Sequence, residues 1–108
     1  MANGSEERIL VYVVGTAYDG RQKILRKLCK KYTLGEDMEA TLARERDNEH
    51  DKYAVGVLIN GKNVGYVPKK VSKLISKALK RKDIKEVELN DIHLDHRMIY
   101  GASITITF

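Results

Sequence analysis

Asn60-Gly61, set between two extended apolar runs, constrains the fold of this chain more than any other feature. A type I′ turn needs positive φ at both central residues, and Asn-Gly meets that need at low cost. Tyr53 to Ile59 is therefore expected as a strand that reverses into a second strand, Asn63 to Val67. Chemistry crowds both flanks of this hairpin. On its N-terminal side lies a charge-dense loop, Arg46-Asp47-Asn48-Glu49-His50-Asp51-Lys52. On its C-terminal side Pro68 opens a segment, Lys69 to Lys82, with seven Lys or Arg and no acid, which reads as a basic helix.

Periodicity supplies the other elements. Ile9 to Val14 (ILVYVV) is a near-continuous β-branched and aromatic run, expected as a strand with both faces largely covered and with Tyr12 in the core. Gly15 ends it, and Thr16 to Gly20 lead into a helix over about Arg21 to Tyr32, with Asp19 placed to cap it. Ile24, Leu25, Leu28, Cys29 and Tyr32 form its apolar stripe. Asp37 to Glu45 alternates, with Met38, Ala40 and Leu42 on one side, as a half-buried strand does. Val71, Leu74, Ile75, Ala78 and Leu79 give the second helix its buried face. Val87, Leu89 and Ile92 mark another strand, and Ala102 to Phe108 alternates strictly as the last one. Residues 1–8 are expected as a flexible polar tail and residues 9–108 as a single domain. About six short strands with two helices define an α+β, mainly β protein, with a small OB-like barrel as the favoured architecture. Periodicity alone does not separate a closed barrel from an open sheet.

The formal net charge of +5 understates an asymmetry. Arg21 to Lys31 holds six basic residues and no acid, so the two helical windows carry 13 of the 20 Lys and Arg, while the remainder is acidic. An anionic polymer would feel that segregation, although solvated helix faces produce the same pattern. No apolar run approaches the ~20 residues of a membrane span, and MANGSEER lacks a signal core, so no membrane partner is expected. The single Cys29 excludes an intramolecular disulfide and fits a reducing, cytoplasmic setting as a packed thiol.

In the polar loop, Asn48, His50 and Asp51 combine a sugar-hydroxyl acceptor, an amide and a ring that can stack on a base. Asp47 and Asn48 can equally build a turn through side-chain to backbone bonds. Tyr18, Tyr53 and Tyr66, with Tyr100 as a further candidate, supply aromatic surface for base stacking. Asp91, His93, Asp95 and His96, or Asp47, His50 and Asp51, contain metal-ligand types. No Cys pair, H-E-x-x-H, G-x-S-x-G or phosphate-binding G-x-x-x-x-G-K-[ST] motif accompanies them, so no metal, cofactor or catalytic residue is assigned.

Asp47-Asn48-x-His50-Asp51-x-x-Ala54-Val55, then Gly61-x-x-Val64-Gly65-Tyr66-Val67-Pro68-Lys69, resembles the HIRAN domain, as does Val14-Gly15-Thr16-x-Tyr18-x-Gly20. HIRAN domains occur at the N-terminus of Swi/Snf-type helicases and as short free-standing bacterial proteins, and this chain is similar to the latter. The resemblance implies an OB-like barrel that binds single-stranded DNA, with a preference for a free 3′ end, in DNA repair or replication-fork processing. By that pattern Asp51 accepts the terminal 3′-hydroxyl and Asn48 shapes the pocket. Tyr18 contacts the end nucleotide, His50 stands where the family often has a stacking aromatic, and Lys69 meets a phosphate. Tyr66 stands where some members carry His. Ala17 replaces an Arg of the eukaryotic pattern, with Arg21 as its substitute, and Tyr100, or else Met98, takes the place of a late stacking aromatic. The expected activity is non-catalytic, with catalysis left to a helicase or nuclease partner. The alternatives are a protein-interaction domain for an acidic partner and a small metal-dependent nuclease using His50, His93 or His96.

Overall fold

In a computed structural model, residues 7–108 are described, and most of the expected tail lies outside them. Its last two residues are not tail: the Glu7 carbonyl accepts the Phe108 N–H at 2.9 Å, and Arg8 opens the first strand. The elements are β1 (Arg8–Tyr12), α1 (Arg21–Thr33), β2 (Ala40–Arg44), β3 (Val55–Ile59), β4 (Lys62–Tyr66), α2 (Lys69–Arg81), β5 (Glu86–Leu94) and β6 (Tyr100–Thr107). They form two three-stranded antiparallel sheets, β1-β6-β5 and β2-β3-β4.

The Asn60-Gly61 turn forms with φ of 52° and 79°, the two left-handed residues that the type I′ geometry requires. Beyond it the ladder slips by one residue, because Val57 faces Gly65 while Leu58 faces Asn63. The bulge drives the second half of β4 toward the segment after β1. There Val14 and Tyr66 exchange both backbone hydrogen bonds at 2.9 Å, and Val13 donates to Ala102 of β6 at 2.9 Å. The short run Val13–Val14 therefore belongs to both sheets. β2 and β5 lie side by side on the opposite flank, completing the OB-like enclosure. Val11, Val57, Ile59, Val64, Ile104 and Ile106 fill it, with Leu25 of α1 and Ile75 of α2 closing it from outside.

Three expectations change. The Ile9–Val14 run has one covered face, not two: Val11 and Val13 are buried while Leu10, Tyr12 and Val14 are exposed, because no layer covers its outer side. Asp19 does not cap α1. The cap residue is Gly20 in the left-handed region, with no side-chain bond, and Asp19, itself at φ 56°, pairs with Arg21 at 3.4 Å. The buried face of α2 is rotated from the expected one: Leu74 is exposed, while Ser72 and Ser76 are buried beside Ile75 and Ala78. Polar clamps explain the rotation. Arg44 Nε donates to Ser76 Oγ at 3.1 Å, and the Ser72 hydroxyl is shared between Asp51 Oδ2 at 3.2 Å and the Lys69 carbonyl at 3.0 Å.

Gly65 permits the sheet crossing. Its φ is 149°, and a Cβ there would collide with the Val14 carbonyl oxygen and lie 2.6 Å from Val13 Cγ1. Gly65→Ala is expected to destabilise the fold by about 3 kcal/mol, combining backbone strain with overpacking, as read by urea unfolding. A loss below about 1 kcal/mol would mean that the crossing is not tight.

Candidate nucleic-acid interface

Four segments converge on an open groove of about 410 Å³: the Val14–Arg21 loop, the Asn48–Ala54 loop, the end of β4 and the first residue of α2. Each wall is fixed by its own local bonding.

The Asn48–Ala54 loop is built by the side chains expected to face a ligand. Asn48 Oδ1 accepts the backbone N–H of His50 at 2.9 Å and of Asp51 at 3.1 Å. Asp51 Oδ1 accepts the Tyr53 N–H at 2.8 Å, and its other oxygen takes the Ser72 hydroxyl. The turn-building role is the one these bonds display, and it does not use up the acceptors of Asp51. A carboxylate oxygen has two lone pairs, so Asp51 can accept a further donor from the groove while holding the loop. His50 is exposed at the rim. Tyr53 turns away from the groove, its ring flanked by Lys52 and Lys73 at 5.3 and 5.4 Å.

The opposite wall is the Gly15–Gly20 loop, where Gly15 and Gly20 hold φ of 73° and 75°. It lifts Tyr18 to 69% exposure, leaving the ring face free for stacking. Tyr66 forms the floor. Its ring lies under the Arg21 guanidinium at 5.0 Å, and its hydroxyl donates to Glu45 Oε1 at 3.0 Å. Burial, and then the bond to Glu45, pushes the Tyr66 hydroxyl above its ordinary pKa. Lys69 stands exposed at the rim, at the start of α2.

Two expected site residues take other places. Arg21 borders the groove as a buried wall group: it donates to the Gly15 carbonyl and to Asn63 Oδ1, each at 2.8 Å, and pairs with Asp19. Those bonds engage Nε and both terminal nitrogens and hold the guanidinium against the Tyr66 ring. Tyr100 lies outside the groove. Gln22 of α1 clamps its backbone N–H and carbonyl at 2.8 and 2.9 Å, and it lines a separate hollow with Arg26 and Leu34. Met98, at φ 64° in the β5–β6 turn, is also remote. A larger hollow of about 730 Å³ runs along Arg44–Asn48, but it is walled by that single segment and is mostly polar.

The residues that sequence reasoning missed are Glu45, Asn63 and Ser72. Ser72 and Ser76, spaced by one helical turn within an apolar face, were the available signal. Among the described residues no group of three metal-ligating side chains converges. His93 Nδ1 and Asp91 Oδ2 pair at 3.0 Å on an exposed strand face, while Asp95 accepts the Arg97 and Ile99 N–H groups to close a turn. Among the described residues no helix is long and apolar enough to cross a membrane.

The family model for the HIRAN domain matches residues 7–100. The crystal structure of the HIRAN domain of human HLTF is similar in fold, with a TM-score of 0.61 at 20% identity, covering 99% of this chain and 81% of that one. No curated protein sequence matches significantly.

The Tyr66 environment sets a pH dependence. A raised folded-state pKa contributes stability that is fully present below the ordinary tyrosine range, near about 10, and is lost as pH climbs through the folded value. The wild-type chain is therefore expected to lose more stability above pH ~10 than Tyr66→Phe does, measured by urea unfolding across that window. Parallel pH profiles would contradict the assigned environment.

Proposed function

The chain belongs to the HIRAN domain family, generally DNA-binding modules, and on that premise we propose that it is a non-catalytic module binding single-stranded DNA at a free 3′ end. One observation carries the reading: a single groove of nucleotide-scale volume gathers Tyr18, Asn48, His50, Asp51, Tyr66 and Lys69 from four separated segments. In this reading the terminal base stacks on Tyr18, with His50 beside it at the rim. The sugar's 3′-hydroxyl donates to Asp51, whose acceptor is aimed by the loop before any ligand arrives. Lys69 meets a phosphate as the strand leaves. Basic faces of α1 and α2 add sequence-independent attraction that weakens as salt rises. The biological setting proposed is DNA repair or replication-fork processing, where a helicase or nuclease partner supplies catalysis.

The test is fluorescence anisotropy with a labelled single strand of ~10 nucleotides. A 3′-hydroxyl end is expected to bind more tightly than a 3′-phosphate end, and Asp51→Asn is expected to weaken hydroxyl-end binding by about tenfold or more, the worth of a hydrogen bond to a charged group. Equal binding to both ends, unaffected by Asp51→Asn, would leave a basic surface only. Tyr18→Ala should weaken binding by about 5- to 150-fold, the range of one lost stacking contact, without lowering thermal stability, because the ring is already exposed. Unchanged affinity would remove Tyr18 from the site.

A further inference from the structure

Glu45 lies behind the groove and touches two of the side chains that wall it. Its Oε1 accepts the Tyr66 hydroxyl at 3.0 Å and the Asn48 Nδ2 at 3.3 Å. Gly56 of β3 leaves room for this carboxylate, since a Cβ there would stand 3.2 Å from Glu45 Oε2 and 2.9 Å from Asn63 Nδ2. The ion pairs among the described residues join Arg21 to Asp19, His93 to Asp91 and Arg97 to Asp95, so Glu45 is held by neutral donors. The guanidinium over the Tyr66 ring, Arg21, is itself paired with Asp19. With Asp19 paired to Arg21 and Lys69 at the rim, Asp51 is the groove carboxylate that no cation pairs among the described residues, and Glu45 adds a second such charge behind the floor.

We propose that Glu45 is the positioning and specificity residue of this groove: it fixes Asn48 and Tyr66, and its charge makes the groove accept a hydroxyl and reject a phosphate. The inference rests on the reading of the groove as a 3′-end site. The two roles are separable. Positioning acts on every ligand alike, because a displaced Asn48 loosens the loop whatever the strand end carries. Charge acts on the end group: a terminal phosphate brings about −1.5 to −2 charges toward the two carboxylates without a cation partner, Asp51 and Glu45, whereas a hydroxyl brings a donor and no charge. Glu45 therefore governs the ratio of the two affinities as well as their level.

The full chain, as wild type, Glu45→Gln and Tyr66→Phe, is titrated with the same ~10-nucleotide strand ending in 3′-hydroxyl or 3′-phosphate. Glu45→Gln keeps an acceptor for Tyr66 and is expected to narrow the hydroxyl preference by about fivefold. Tyr66→Phe, which keeps the charge, is expected to lower both affinities and preserve the ratio. A wild-type preference that Glu45→Gln leaves unchanged overturns this inference while the 3′-end reading stands. No wild-type preference overturns both. The wild-type ratio is also expected to fall as salt rises, since the repulsion is screened. A ratio independent of salt overturns the inference even if Glu45→Gln does not fold.

Discussion

The reciprocal backbone pair between Val14 and Tyr66 is the contact on which the rest of the molecule depends. It can form because the bulge in β4 brings Gly65 against Val14 and because Gly65 has no side chain to keep the two backbones apart. One consequence is architectural: a run of two residues, bonded to β6 through Val13 and to β4 through Val14, joins the sheets into one enclosure. The other is functional. Immediately past this crossing, Gly15 turns the chain left-handed and throws Tyr18 over the end of β4, opposite the Asn48–Asp51 loop. The groove is therefore a by-product of how the sheets are tied.

The groove's polar side chains do double duty. Asn48 and Asp51 fold their own loop, Ser72 pins that loop to α2, and Glu45 pins it to the floor. Groups held in this way have already lost their rotamer freedom before a ligand arrives, which lowers the ordering cost of binding. A similar logic governs Arg21, whose bonds to Gly15, Asn63 and Asp19 stiffen one wall and set the plane of Tyr66. The long, free cations lie at the rim and on the helices, where they act at a distance and are screened by salt. In the proposed reading, binding strength and end selection come from different parts of the surface.

Much of this was legible in the sequence because it depends on local chemistry. Asn60-Gly61 specifies its turn, the α1 stripe places Leu25 and Leu28 inside, and the strict alternation of β6 puts Ile104 and Ile106 in the core. What was not legible depends on partners distant along the chain. Nothing local reveals that the outer face of β1 stays uncovered, so Tyr12 read as core and is exposed. Leu74 lost its place in the buried face of α2 to Ser72 and Ser76, whose partners Asp51 and Arg44 are 21 and 32 residues away. Tyr100 is set apart by a clamp from Gln22, 78 residues distant. Asn48, Asp51 and Tyr66 stood out by motif, but Glu45, which links two of them, carried no signature of its own.

The central claim is that one groove, and not a diffuse basic surface, receives the DNA end. The most direct measurement is a titration of ¹⁵N-labelled protein with an unlabelled short single strand, following backbone amide shifts at moderate salt. The account predicts that the largest changes fall on Gly15, Tyr18, His50, Asp51 and Tyr66, which converge only in the folded chain. Shifts confined to the lysine-rich faces of α1 and α2, with the groove amides unmoved, would contradict it.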